Sequence, residues 1–119
     1  MLLHEAAMYR HLRPLQGRTV PRVYGLFACR TFTVLVLAHC GARVAQIGDF
    51  SEGQRAALYE SLWSVHRWGV VHGDLRTENI VVSGDGTPTL IDFSHAGSHQ
   101  CHDASSCEEL RAARSFLLL

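Results

Sequence analysis

The chain has 119 residues, 47% of them apolar and 18% charged, which allows one compact domain or part of a larger one and excludes a disordered chain. Its formal net charge is zero at pH 7, so no basic field marks a nucleic-acid or membrane surface, and the expected partners are small molecules or proteins. No apolar run reaches the roughly 18 residues of a membrane span, and the opening Met1-Leu2-Leu3-His4-Glu5 lacks the regions of a signal peptide, which reads as an intracellular, cytoplasmic protein.

In chain order, Leu2 to about Arg13 reads as a helix with Glu5, Met8 and Leu12 on one stripe, stopped by Pro14, which has no amide hydrogen. Two β-branched and aromatic runs follow, 20–28 and 31–38. They are joined at Cys29-Arg30 as an antiparallel hairpin, and Gly41 breaks the second. Ser51 with Gln54 three residues on is a capping box for a helix to about Trp68, ended by Gly69, with Leu58, Leu62 and Val65 as its core stripe. Short strands are expected at 70–71, 80–82 and 89–91, the last two joined by the turn residues Ser83-Gly84-Asp85-Gly86. Ser105 and Glu108 suggest a second capping box before a helix over 109–119, whose apolar end needs something to pack against.

Two polar loops open from strand ends: His72-Gly73-Asp74-Leu75-Arg76-Thr77-Glu78-Asn79 and Asp92-Phe93-Ser94. Together they offer an aspartate base, Asp74, and two hard oxygen ligands, Asn79 and Asp92, of the kind magnesium needs when it carries a nucleotide phosphate. The first segment resembles the protein-kinase catalytic loop His-Arg-Asp-Leu-x-x-x-Asn and the second its Asp-Phe-Gly metal motif.

The resemblance implies an α+β, partial protein-kinase-like fold: a small antiparallel hairpin of the N-lobe plus a helical C-lobe portion with the catalytic loop. It divides the chain into an N-lobe remnant (1–38), a hinge (39–41) and a C-lobe portion (42–119). It implies ATP and Mg2+ as cofactors and transfer of the γ-phosphate to a Ser/Thr hydroxyl of a protein substrate. Asp74 would orient or deprotonate the acceptor, Arg76 would neutralise the moving phosphoryl group, and Asn79 and Asp92 would hold magnesium. His72 would brace the loop. Glu5 is similar to the helix glutamate that pairs with a nucleotide-anchoring lysine. Ala38 and Cys40 are similar to hinge residues that grip adenine, over a floor made by Val81 and Ile91.

The departures from that pattern matter as much. No glycine-rich loop precedes Glu5, and the eleven basic residues are all arginine, so the lysine–glutamate pair cannot form within these residues. A catalytically silent binding module therefore stands as an alternative. Gly73 replaces the arginine that clasps an activation-segment phosphate in regulated kinases, and His-Gly-Asp suggests small-molecule kinases of the aminoglycoside or choline type as a further one. Ser94 replaces the glycine of the metal motif, which restricts positive φ after Phe93. The four cysteines, Cys29, Cys40, Cys101 and Cys107, form no tight framework and are expected as free thiols. His95, His99, Cys101, His102 and Cys107 crowd one segment, but without a Cys-x-x-Cys pair; a flexible histidine-rich loop is expected, with structural zinc the lesser alternative.

Overall fold

The structure is a computed structural model that describes residues 2–43, 46–103 and 105–119; Met1, the first residue of the opening segment, lies outside them. Helix α1 spans Leu2–His11 and buries Tyr9, with Leu12 fully buried just beyond it. Pro14 falls in a 3-10 turn, Arg13–Leu15, that ends the helix where its missing amide predicts. The Gln16 side chain then ties helix to strand. Its Nε2 donates to the Tyr9 carbonyl at 2.8 Å and its Oε1 accepts from the Val23 amide at 3.0 Å.

Strands β1 (Val23–Ala28) and β2 (Thr33–Leu37) form the expected antiparallel hairpin, with Val23 opposite Leu37 and Ala28 opposite Thr33. The first strand starts later than the β-branched run suggests, because Pro21 has no amide to give a ladder and the Val20 amide bonds back to the Leu15 carbonyl. Leu35 and Leu37 lean on the core, whereas Tyr24, Phe27, Phe32 and Val34 are exposed.

Helix α2 (Glu52–Arg67) begins with the complete capping box: the Gln54 amide donates to Ser51 Oγ at 3.1 Å, and the Ser51 amide donates to Gln54 Oε1 at 2.9 Å. Leu58, Leu62, Val65 and His66 are its buried face. Ser51→Ala should cost about 1 kcal/mol, read as a lower urea midpoint at unchanged m-value; no change in midpoint would show that the cap contributes nothing.

Three short strands make one antiparallel sheet in the order β3-β5-β6: β3 (Ala42–Arg43), β5 (Ile80–Val82) and β6 (Pro88–Leu90). Strand β4 (Val70–Val71) pairs separately with β7 (Gly97–Ser98). Strands β3 and β7 were not anticipated, since two residues carry no alternation to read. Gly41 admits β3 to the sheet: its φ is +145°, and a Cβ there would lie 2.1 Å from the Val82 carbonyl oxygen. Helix α3 (Glu108–Phe116) packs Leu110, Ala113 and the following Leu117 into the common core with α2. The second capping box does not form. Cys107 takes the N-cap position, and the Ser105 hydroxyl donates to Asp103 Oδ1 at 2.6 Å, because an aspartate two residues away competes for it locally. No helix among the described residues is long and apolar enough to cross a membrane.

Candidate active site

The loop from His72 to Asn79 leaves β4 and returns into β5 through a single 3-10 turn, Thr77–Asn79. Its geometry is fixed by hydrogen bonds that use both ring nitrogens of the fully buried His72. Nε2 donates to the Ile91 carbonyl at 2.9 Å, which leaves Nδ1 as the acceptor for the Asp74 amide at 3.2 Å. The His72 ring meets Phe93 edge-on at 4.7 Å between centroids, and Phe93 meets Tyr9 at 5.3 Å, so a buried aromatic column links α1, the second polar loop and the first.

Asp74 and Asn79 come into direct contact. Asn79 Nδ2 donates to the Asp74 carbonyl at 2.8 Å and to its Oδ2 at 3.0 Å, which leaves Asn79 Oδ1 as the atom able to ligate a cation. Arg76 Nε lies 3.3 Å from Asp74 Oδ1, and His95 Nδ1 lies 3.7 Å from Asp74 Oδ2. The residue before Asp92 is tied to this loop by its backbone, the Ile91 amide donating to the Asn79 carbonyl at 2.9 Å.

Asp92 has φ +61°, a left-handed conformation that costs a non-glycine residue energy and that the surroundings must hold in place. Ser94 supplies part of the hold. Its hydroxyl donates to Asp92 Oδ1 at 2.6 Å and its amide to the same atom at 3.2 Å. The hydroxyl bond is the main reason the Asp92 carboxyl is held below its usual pKa, partial burial opposing and the Ser94 amide assisting, so Asp92 is an anion available as a hard ligand. The restriction expected from serine at this place is met differently: the positive φ belongs to Asp92, and Ser94 does not adopt one.

Gly73 is required by the loop. Its φ is +85°, and a Cβ would lie 2.3 Å from the His95 carbonyl oxygen, so no arginine fits there. Its amide donates to Glu109 Oε2 at 2.7 Å, while Glu109 Oε1 accepts from the His72 amide at 2.9 Å and from His66 Nε2 at 2.7 Å. Burial pushes the Glu109 pKa up, but the bonds from His66, Gly73 and His72 outweigh it and hold the carboxyl below its usual value. Glu109 is thus the positioning residue for the loop, and the sequence offered no sign of it beyond a carboxylate in the first turn of a helix.

The second polar loop borders a cleft of about 580 Å³, a size suited to a cofactor, lined by Glu5, Ala38, Cys40, Val81, Ile91, Asp92 and Ser94 among others; Asp74, Arg76 and Asn79 are not among its lining residues. The Ala38 amide already donates to the Arg22 carbonyl at 2.8 Å, so Ala38 offers the cleft only its carbonyl, which also meets the weak Cys40 thiol donor at 3.5 Å. Glu5 is not left without partners. Its Oε2 accepts from the Tyr9 hydroxyl and from the Phe93 amide, both at 3.2 Å, and burial together with this carboxylate raises the Tyr9 pKa so that it stays a phenol donor.

A family model described as "Phosphotransferase enzyme family" matches residues 36–100, more than half of the chain, and its span contains both polar loops. The chain belongs to this phosphotransferase family. Among curated proteins, Aurora kinase A-B of Xenopus laevis is 31% identical over 101 residues, covering 77% of this chain and 24% of that protein. The cGMP-dependent protein kinase 2 of Rattus norvegicus is 28% identical over 102 residues, covering 78% of this chain and 13% of that protein. This phosphotransferase chain therefore spans about a quarter or less of the curated relatives it matches, and its relationship to the protein-kinase-like superfamily rests on that portion. The mixed α+β architecture, with a hairpin ahead of a helical part that carries the loop, agrees with a partial kinase-like fold.

Proposed function

We propose that the chain forms the catalytic-loop portion of an ATP-dependent phosphotransferase that moves the γ-phosphate to a hydroxyl, in the first reading a Ser/Thr hydroxyl of a protein. What supports this reading is the contact of Asp74 with Asn79 at 3.0 Å, in a loop that the Ile91–Asn79 backbone bond ties to Asp92, whose carboxyl, held below its usual pKa, lines a cofactor-sized cleft. The donor set fits the group: Asn79 Oδ1 and the Asp92 carboxylate are hard oxygens suited to magnesium, and the apolar side chains of Val81 and Ile91 suit a purine. Bound Mg-ATP supplies the transferable phosphoryl group and the cation that neutralises its charge.

The side chains divide the remaining work. Asp74 orients the acceptor hydroxyl and takes its proton at a carboxylate oxygen, while Asn79 fixes Asp74 in place by its amide. Arg76, largely exposed, holds a guanidinium at the Asp74 carboxylate, where it can follow a developing negative charge. A lysine paired with Glu5 has no counterpart in these residues, and Arg76 supplies a positive charge beside Asp74. A small-molecule acceptor is the second reading, favoured by Gly73, whose backbone excludes the arginine of regulated protein kinases.

Mg-ATP at about 100 times its Kd should add about 2.7 kcal/mol of stability, visible as a raised melting temperature. An unchanged melting temperature at millimolar Mg-ATP removes this reading. With γ-labelled ATP, label on protein serines and threonines supports the first acceptor class, and label only on amino alcohols or aminoglycosides supports the second. Nucleotide binding with no transfer to any acceptor leaves a silent binding module.

A further inference from the structure

The histidine- and cysteine-rich segment does not hang free. It brings His99, Cys101 and Cys107 against His66 of α2, with one potential ligand atom from each lying within 4.8 Å of the others. Strand β7 sets this up by pairing with β4, and the His99 amide continues the pairing to the Gly69 carbonyl at 2.8 Å, at the end of α2. From the geometry of this tetrad we infer a structural zinc site of the Cys2His2 type, formed by His66, His99, Cys101 and Cys107.

Three observations carry it. A tetrahedral zinc with Zn–N near 2.0–2.1 Å and Zn–S near 2.3 Å places nitrogen and sulfur about 3.5 Å apart along each edge. Cys107 Sγ lies 3.5 Å from His66 Nδ1 and 3.5 Å from His99 Nε2, and the two imidazoles stand nearly perpendicular, 77° apart at 5.0 Å between centroids. Second, His66 is prepared as a ligand: its Nε2–H donates to Glu109 Oε1 at 2.7 Å, which fixes the tautomer with a lone pair on Nδ1, facing the sulfur. A carboxylate behind an imidazole is the usual arrangement at protein zinc. Third, without a metal the buried thiol is held only by weak contacts. Cys107 is buried, and the bonds open to it are one S–H donated to His66 Nδ1 and one N–H accepted from His99 Nε2, both at 3.5 Å and both weak. A divalent cation with two thiolates and two neutral imidazoles replaces these contacts with four coordinate bonds and carries no net charge.

The segment alone does not reveal the site, because the fourth ligand comes from a helix far upstream and no Cys-x-x-Cys spacing exists. The inference is independent of the phosphotransfer reading, and its readouts are metal content and stability. Untagged protein purified without chelator should contain one zinc per chain, and the cobalt-substituted protein should give the intense visible bands of tetrahedral Co2+ with thiolate charge transfer. X-ray absorption should give two nitrogens and two sulfurs around zinc. Cys101→Ser, at a half-exposed ligand, should release the metal and lower the melting temperature, whereas His102→Ala and Cys29→Ser should retain it. Metal-free protein as melting-resistant as the purified form overturns the site. So do octahedral cobalt spectra, equal zinc retention by Cys101→Ser, or a mass short by two hydrogens from a Cys101–Cys107 disulfide. The first two measurements use the unaltered chain, so a variant that fails to fold does not shelter the inference.

Discussion

Asp74→Asn is expected to lower phosphoryl transfer by about 10²- to 10⁴-fold, the usual contribution of a positioned general base. The substitution keeps shape and volume. Its single remaining oxygen can face either Arg76 or the Asn79 amide, and the other contact becomes donor against donor. The change should therefore be read in kcat with KM for nucleotide nearly constant, since Asp74 is not among the residues lining the nucleotide-sized cleft. Turnover equal to the parent would remove Asp74 from the chemistry, whereas an equal loss in Asn79→Asp alone would point to metal binding instead.

Glu109→Ala should be the most destabilising single change in the loop's support, at about 3–5 kcal/mol. One carboxylate accepts from two backbone amides and one imidazole, so its removal strands three donors at 2.7–2.9 Å from where their acceptor stood. Two of them belong to the residues directly preceding Asp74, so a lost fold and a lost loop are the same event. Glu108→Ala, one residue earlier and exposed, is the control and should stay within about 0.5 kcal/mol by urea titration. A Glu109 variant no weaker than this control would mean that the loop carries its own conformation.

Much of this arrangement could be read along the chain because it is local in sequence. The Ser51–Gln54 box, the arrest at Pro14 and the spacing of Asp74 and Asn79 each depend on a few neighbouring residues, and the structure builds helix and loop where they indicate. Features that join distant elements were not readable. Glu109 reaches the loop from a helix begun after a long connection, and His66 meets Cys107 only because β7 folds back on β4. Ser105 misled for a related reason: it matches a capping box in spacing, yet Asp103 competes for the same hydroxyl at closer range. Gly73 was legible as a departure from a pattern, but its cause, the His95 carbonyl pressed against the loop, required three dimensions.

The two amides that end on the Glu109 carboxylate make the loop's order a property of the chain's last helix. Hydrogen exchange at His72 and Gly73 should then track the docking of α3 more closely than occupancy of the cleft. A proteolytic nick between His99 and Cys107, which touches none of the cleft-lining side chains, would deprotect those amides and silence the loop from behind.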